Sequence, residues 1–393
     1  MKNRDVLLTG ATGIMGSWVM GEALARGYRP VVLMRDRDHK QARERIATVL
    51  DHVGRSDDVD NVRILLGNAG KTCFGLSDPV YSQLRRSVGM LIHCAACTSF
   101  SPDQDAQCWS TNVGGVRNVL DFVSHTDIAL HHVSTAYLAG KRPGRVYETE
   151  LSVGQEFSNT YEKSKCEAEM LIQNAFDTGI VKGSIFRPSI IVGSSKDGRI
   201  LQFMNFYNLL RVIDLLMSRR QREHTILRMV GTPEGTKNLI PVDWAVGAMW
   251  HIIEREGASG EVYHLTNPNP MRHGEMQVWV NALLADNRVQ MDLVDSLDGD
   301  ATSLEALFEG RFANYRPYMH GEPVFDRTNT DRALDGAYPF PPVNETYFAL
   351  LMAYARENGW RSIFERRTTR RTEAPVAMGQ QDPSVFEAVH VLA

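Results

Sequence analysis

Apolar residues come in short runs, and between the runs they recur every three or four positions, a rhythm that holds from the amino terminus to about residue 195. The runs at 6–8, 29–35, 62–68, 89–96, 128–135 and 183–193 read as strands buried on both faces, and 17–24, 109–120 and 159–171 carry helical spacing. Strands alternating with helices imply an α/β fold built on a doubly wound parallel sheet. Beyond residue 195 the alternation lapses. Residues 200–217 are apolar and aromatic at helical spacing (Phe203, Phe206, Tyr207, Leu210) and run into a basic stretch with Arg219, Arg220 and Arg222. Segments 239–243 and 244–253 read as a strand and helix returning to the main sheet, 262–266 as a further strand, and 270–365 as helical and irregular chain capping the sheet's carboxyl side.

Composition changes this picture little. Of 393 residues 43% are hydrophobic and 23% charged, which suits a large domain with a smaller companion, and the formal net charge of −4 gives no case for nucleic-acid binding. No run approaches the ~18 apolar residues of a membrane span, and the first strand begins too early to leave room for a signal peptide, so a cytoplasmic location is expected. The five cysteines are an odd number, expected to be reduced. Cys94 and Cys97 form a C-x-x-C without a second ligand pair, and read as a strand end rather than a metal or redox motif.

The candidate chemistry starts at the first strand's end. Gly10, Gly13 and Gly16 stand at steps of three between strand and helix, as a dinucleotide's pyrophosphate requires. Gly10 permits the turn, Gly13 lets the backbone approach phosphate, and Gly16 lets helix and strand pack closely. The second strand ends about 20 residues further on, where an NAD enzyme carries a carboxylate for the ribose 2′-hydroxyl. Arg35 occupies that place, followed by Asp36, Arg37, Arg43 and Arg45. Guanidinium suits a 2′-phosphate, so NADP(H) is the expected cofactor, with Asp36 the argument for NAD. The domains then read as an NADP-binding Rossmann domain at 1–195 with 236–266 returning to it, a smaller C-terminal substrate-binding region at 196–235 and 267–365, and a flexible tail at 366–393.

Tyr161 and Lys165, one helical turn apart, share a helix face, and the strand before them ends in Ser134 and Thr135. Hydride arriving at a carbonyl carbon leaves negative charge on the oxygen, which needs a proton donor and a hydrogen-bond donor within ~3 Å. Tyr161 is the expected donor, and Lys165 supplies the charge to bring a phenol that titrates near ~10 toward working pH. Thr135, or Ser134 beside it, would orient the carbonyl.

Together the glycine turn, the run His132-Val133-Ser134-Thr135-Ala136-Tyr137-Leu138-Ala139-Gly140, the helix start at 159–169 and Arg187 to Gly193 resemble the extended short-chain dehydrogenase/reductases. Within these the chain looks most like the branch of thioester and fatty-acyl reductases. The resemblance covers residues 5 to about 265, and more thinly 325–330. It implies Thr135, Tyr161 and Lys165 as catalytic residues. It also implies a cofactor site of Gly10, Thr12, Gly13, Ile14, Gly16, Arg35, Arg45, Asn68, Ala95, Tyr161, Lys165, Pro188, Ser189 and Ile190, with no metal, and Asn112 as the structural asparagine. Asn68 is a departure, because the family usually has aspartate there near adenine. The implied activity is NADP(H)-dependent reduction of an acyl thioester to aldehyde, with a second reduction to alcohol left open. The family's activation and carrier domains are absent from the sequence, so the thioester would arrive in trans on coenzyme A or a carrier protein, its phosphate met by Arg219, Arg220 and Arg222. The alternative is a ketone or alcohol oxidoreductase acting on a free small molecule or secondary metabolite. A cofactor-sensing protein without catalysis is a third class, against which the intact Thr, Tyr and Lys set argues.

Overall fold

The structure is a computed structural model that describes residues 4–218, 221, 223–297 and 301–366. The chain divides into two compact units, one of Met1–Gln202, Leu239–Pro268 and Pro323–Pro342, the other of Phe203–Asn238, Asn269–Glu322 and Val343–Ala393. In the first unit β1 (Asp5–Thr9), α1 (Ile14–Ala25), β2 (Arg29–Met34), α2 (His39–His52), β3 (Arg63–Leu66), α3 (Asp78–Ser87) and β4 (Met90–His93) lead to α4 (Asp105–Trp109), α5 (Gly115–Val123) and β5 (Ala129–Val133). Then come α6 (Thr160–Asp177), β6 (Lys182–Pro188), α7 (Val242–Glu256), β7 (Val262–Leu265) and α8 (Thr328–Leu334).

The seven strands form one sheet in the order β7-β6-β5-β4-β1-β2-β3, every neighbouring pair parallel. This is the doubly wound α/β fold expected from the sequence. The chain enters at β1, winds outward to β3 and crosses back to β4, so the connections diverge at the carboxyl ends of β1 and β4. A ligand crevice opens at such a switch point.

Leu7, Leu91 and Leu130 lie in one core cluster with Val116, Val119 and Phe122 of α5, all 0–1% exposed. Each such burial contributes about 1.5–3 kcal/mol. On α7 the indole N–H of buried Trp250 donates to Val19 O of α1 at 3.3 Å. Glu148, 1% exposed, ties the segment around α8 to this unit. Its carboxylate accepts from the N–H groups of His264, Asn329 and Thr330 and from the Thr330 hydroxyl, at 2.7, 2.5, 3.2 and 2.7 Å.

Three local expectations are corrected. The predicted strand at 183–193 is two pieces. β6 stops at Pro188, the Ser189 N–H donates to Leu265 O at 3.1 Å, and Ile190–Val192 pairs in parallel with Leu239–Pro241 as a separate two-stranded piece. Residues 239–241 therefore do not rejoin the main sheet. The predicted helix at 200–217 starts only at Phe206, because Asn205 has a φ of 53° that a right-handed helix does not accept. Residues 323–342, expected in the substrate-binding region, fall in the sheet unit, for the reason Glu148 supplies.

In the second unit Thr225–Val230 pairs in parallel with Val289–Val294. The helices Phe206–Met217 and Glu345–Glu357 meet through Phe206 and Phe348, ring centroids 5.3 Å apart. Glu305 receives both Arg228 Nε and Nη2, at 2.8 and 2.9 Å. That pairing holds its carboxyl down at about 2. Arg219, Arg220 and Arg222, and the expected tail from 367 onward, lie outside the described residues. No described helix is long and apolar enough to cross a membrane.

Candidate active site

The glycine turn is shaped by sterics that leave no room for side chains. Gly10 has a φ of +75°, and a Cβ there would sit 2.6 Å from the Ala95 nitrogen. One on Gly16 would sit 2.1 Å from Gly10 O. Gly13 is less confined, its Cβ position 3.3 Å from Gly10 O, and it faces solvent. Gly13 is also the N-cap of α1. It offers no side-chain cap, and the first turn carries no acidic residue. Backbone N–H groups and the positive end of the helix dipole are thus left for an anion, which is what a pyrophosphate needs. Thr12 and Ile14 flank the turn, both half-buried.

At the end of β2 the tertiary structure sorts the charges that the sequence only collects. Asp36, its side chain 6% exposed, is held by Arg45 Nη1 at 3.0 and 3.1 Å, while Arg45 Nη2 donates to Thr12 Oγ1 at 3.2 Å. The carboxylate is thereby neutralised, and the guanidinium is fastened to the glycine turn. Arg35 is exposed and makes no ion pair among the described residues; Arg43 is spent on Asp60. Asn68 has local contacts: its Oδ1 accepts the Gly70 N–H at 2.9 Å and its N–H donates to Phe74 O at 2.7 Å. An acceptor aimed at adenine, as the family's aspartate would supply, is thus committed elsewhere.

A row of polar side chains crosses the carboxyl end of the sheet. Register puts Thr9 opposite His93 and His93 opposite His132. Ala95 N–H donates to Thr9 Oγ1 at 3.3 Å, and Thr9 Oγ1 and His93 Nδ1 share a hydrogen bond at 2.7 Å. The rings of His93 and His132 stack at 5.3 Å. Burial, then the Lys165 charge, lowers His93 to about 3 and holds His132 well below its ordinary value. Sequence reasoning passed over these imidazoles. The available signal was a polar residue at corresponding ends of two apolar strands, His93 and His132.

Above this row stands the α6 start. Asn159 Oδ1 accepts the Glu162 N–H at 3.0 Å and Glu162 Oε2 accepts the Ser158 N–H at 2.7 Å, a reciprocal cap that fixes where the helix begins. Tyr161 and Lys165 follow on one face. Lys165 Nζ, 2% exposed as a residue, donates to Val133 O at 2.8 Å and to His132 Nε2 at 3.3 Å. Desolvation lowers the ammonium to about 8. Thr135 accepts the Tyr137 N–H at 3.2 Å and shares a hydrogen bond with the Tyr161 phenol. Ser134 has no such link: its Oγ is buried and without a partner among the described residues. Burial pushes Tyr161 up to about 12, with the Thr135 bond pulling the other way. This differs from the expectation that Lys165 would make the phenol acidic, because the ammonium is spent on the end of β5. Asn112, on a π-turn, bridges Cys97 and Ser164, and Ser164 Oγ donates to Tyr161 O at 2.9 Å. Phe100 packs its ring 5.8 Å from Tyr161 and was not anticipated.

Pro188 and Ser189 are buried at the end of β6 and Ile190 is half-buried beside them. Contacts thus join Gly10 to Ala95, Thr12 to Arg45, Thr135 to Tyr161 and Lys165 to β5, all at the strands' carboxyl ends.

That layout is the one the extended short-chain dehydrogenase/reductases share. The chain belongs to the NAD-binding family described as male sterility protein, whose model matches residues 8–249. A nicotinamide cofactor follows from that membership. The chain is 29% identical over 294 residues to the nonribosomal peptide synthetase asaC of Aspergillus flavus, covering 71% of this chain and 27% of that protein. It is 27% identical over 261 residues to the L-2-aminoadipate reductase large subunit of Eremothecium gossypii, covering 61% and 18%. The chain thus spans less than a third of either relative. Among solved structures it is similar to the terminal R domain of the myxalamid PKS-NRPS pathway (TM-score 0.74, 23% identity, 92% of each chain). It is also similar to the reductase domain of a nonribosomal peptide synthetase from Mycobacterium tuberculosis (TM-score 0.68, 17% identity, 91% and 92%).

Proposed function

We propose that this chain is an NADP(H)-dependent reductase that takes an acyl thioester, presented on coenzyme A or a carrier protein, to the aldehyde and on to the alcohol. The observation that carries the reading is the Thr135–Tyr161 hydrogen bond beside Lys165, at the carboxyl ends of strands whose glycine turn leaves the N-terminus of α1 without a side-chain cap. Relatives named as peptide synthetase and aminoadipate reductase support the thioester as substrate class. NADP(H) rather than NAD(H) is supported by Arg35, and by Arg45 neutralising the one carboxylate that would repel a 2′-phosphate.

Gly10, Thr12, Gly13, Ile14, Gly16 and Ala95 would hold the pyrophosphate side, Arg35 and Arg45 the 2′-phosphate, and Pro188, Ser189 and Ile190 the nicotinamide side. Bound NADPH supplies the hydride that reaches the thioester carbonyl carbon. Thr135 and Tyr161 hydrogen-bond the carbonyl oxygen, Tyr161 gives it a proton as charge develops, and the resulting hemithioacetal becomes the aldehyde as its C–S bond breaks and the thiol leaves with the hydroxyl proton. A phenol held at about 12 stays protonated at neutral pH, which suits donation in the reductive direction. Lys165, which gives two of its three protons to Val133 O and His132, can turn the third to the ribose.

The test is NADPH oxidation at 340 nm with acyl-coenzyme A, acyl-carrier-protein and simple ketones in parallel, with product aldehyde trapped. Thioester-dependent oxidation is expected. Turnover of the ketones alone would transfer the assignment to a free-carbonyl oxidoreductase.

A further inference from the structure

The C-x-x-C of the sequence does not form a pair in the fold. Cys94 sits at the end of β4 with its N–H on Thr9 O at 3.2 Å, and burial pushes its thiol up to about 12. Cys97 instead meets Cys108 of α4. The Cys108 thiol donates to Cys97 Sγ with the sulfurs 2.7 Å apart, and lies 3.5 Å from Ser99 O and 3.8 Å from Cys97 O. That separation is longer than the ~2.05 Å of a disulfide, and both thiols are free. We propose that Cys97 and Cys108 are an oxidation site, a dithiol that hydrogen peroxide converts to an intrachain disulfide, fastening the loop that carries Phe100 against Tyr161.

Three observations support the pair beyond its distance. The Asn112 side chain clamps the Cys97 backbone on both sides, accepting its N–H at 2.8 Å and donating to its C=O at 3.0 Å. Cys97 is therefore held in place and can reach Cys108 by side-chain rotation alone. Cys97 is half-buried whereas Cys108 is 0% exposed, so peroxide meets Cys97 first. Asn112 Nδ2 also donates to Ser164 Oγ at 2.9 Å, and Ser164 Oγ to Tyr161 O, so Cys97 is joined by hydrogen bonds to the helix turn bearing the phenol. Phe100, within residues 97–108, packs on that phenol's ring.

The chemistry balances. The Cys97 thiolate attacks one peroxide oxygen, the O–O bond breaks, and the departing hydroxide takes a proton to leave as water, giving a sulfenic acid. Cys108 attacks the Cys97 sulfur, the S–S bond forms as the S–O bond breaks, and hydroxide leaves with the Cys108 proton as the second water. Two thiols lose two electrons, and the peroxide gains them.

The full-length protein is treated with hydrogen peroxide, quenched, denatured and titrated for thiols. The expected result is a fall from five free thiols to three, reversed by dithiothreitol. Cleavage at Asp103 and Asp105 separates Cys97 from Cys108 in sequence, so the two fragments stay joined only if the disulfide has formed. Cys94→Ser still forms the joined fragments. Cys108→Ser does not, and leaves a sulfenic acid on Cys97 that dimedone traps. The proposal is overturned if five thiols survive a dose that oxidises glutathione, or if Cys97 joins Cys94 instead. The effect on turnover rests on the reductase reading: the oxidised protein is expected to bind NADPH as before but to reduce thioester more slowly until dithiothreitol is added, and Cys97→Ser to be insensitive. Equal turnover in both states would overturn the fastening of the loop. A protein that forms the disulfide yet turns over no thioester in either state would refute the reductase reading alone.

Discussion

Acid should unfold this protein unusually early, and the reason lies in four imidazoles. His93, His131, His132 and His264 are each 0–1% exposed. Burial lowers His93 to about 3, His131 to about 4 and His264 to about 3, and His132 well below its ordinary value. In the unfolded chain each would titrate near ~6.5. The folded state therefore refuses protons that the unfolded state accepts, so stability is full above about pH 6.5 and is lost as pH falls toward the folded values. At pH 5 His93, His131 and His264 each favour the unfolded chain by about 2 kcal/mol, about 6 kcal/mol together, and His132 acts in the same direction. That rivals the whole stability of a typical domain, about 5–15 kcal/mol. Glu148 works in the opposite direction, since burial raises its carboxyl, but it is one group against four. Urea unfolding followed by tryptophan fluorescence at pH 7.5, 6.0 and 5.0 measures the loss, and its slope below pH 6 should approach five protons, the fifth from His273, which burial lowers to about 4. His131→Leu should remove one of them. A loss below about 2 kcal/mol between pH 7.5 and 5.0 would refute the claim that these rings are buried and neutral.

Replacing Tyr161, the proposed proton donor, with Phe should cut thioester turnover by about 10²-fold or more, while NADPH binding by fluorescence titration stays intact. Arg35→Ala should weaken NADPH binding by about tenfold and leave NADH binding unchanged, because only the former carries the 2′-phosphate. Gly16→Ala forces a methyl to within 2.1 Å of Gly10 O, so the melting temperature and the NADPH affinity should fall together; an unchanged affinity would separate the turn from the cofactor. Arg187 and Glu169 are both 0% exposed and paired at 2.6 Å. Arg187→Leu should therefore cost about 3–5 kcal/mol in urea unfolding by leaving Glu169 buried without its partner, and pairing it with Glu169→Met should recover much of that loss.

Local pattern determined much of this protein. Alternating apolar runs and helical spacing announced a parallel sheet, three glycines at steps of three marked its first turn, and Thr135, Tyr161 and Lys165 stood in the order that carbonyl reduction uses. These are properties of contiguous chain, where spacing alone decides which side chains share a face. What sequence could not decide was which distant groups would meet. The basic cluster after β2 looked uniform, yet Arg45 is fastened to Asp36 and Thr12 while Arg35 stays exposed. Lys165 shares a face with Tyr161 but spends its protons on Val133 O and His132, and Cys97 passes over its near neighbour Cys94 to touch Cys108. Each outcome follows from strand register and close packing, which align residues far apart in the chain to within hydrogen-bond distance. Periodicity along one segment carries no information about that alignment.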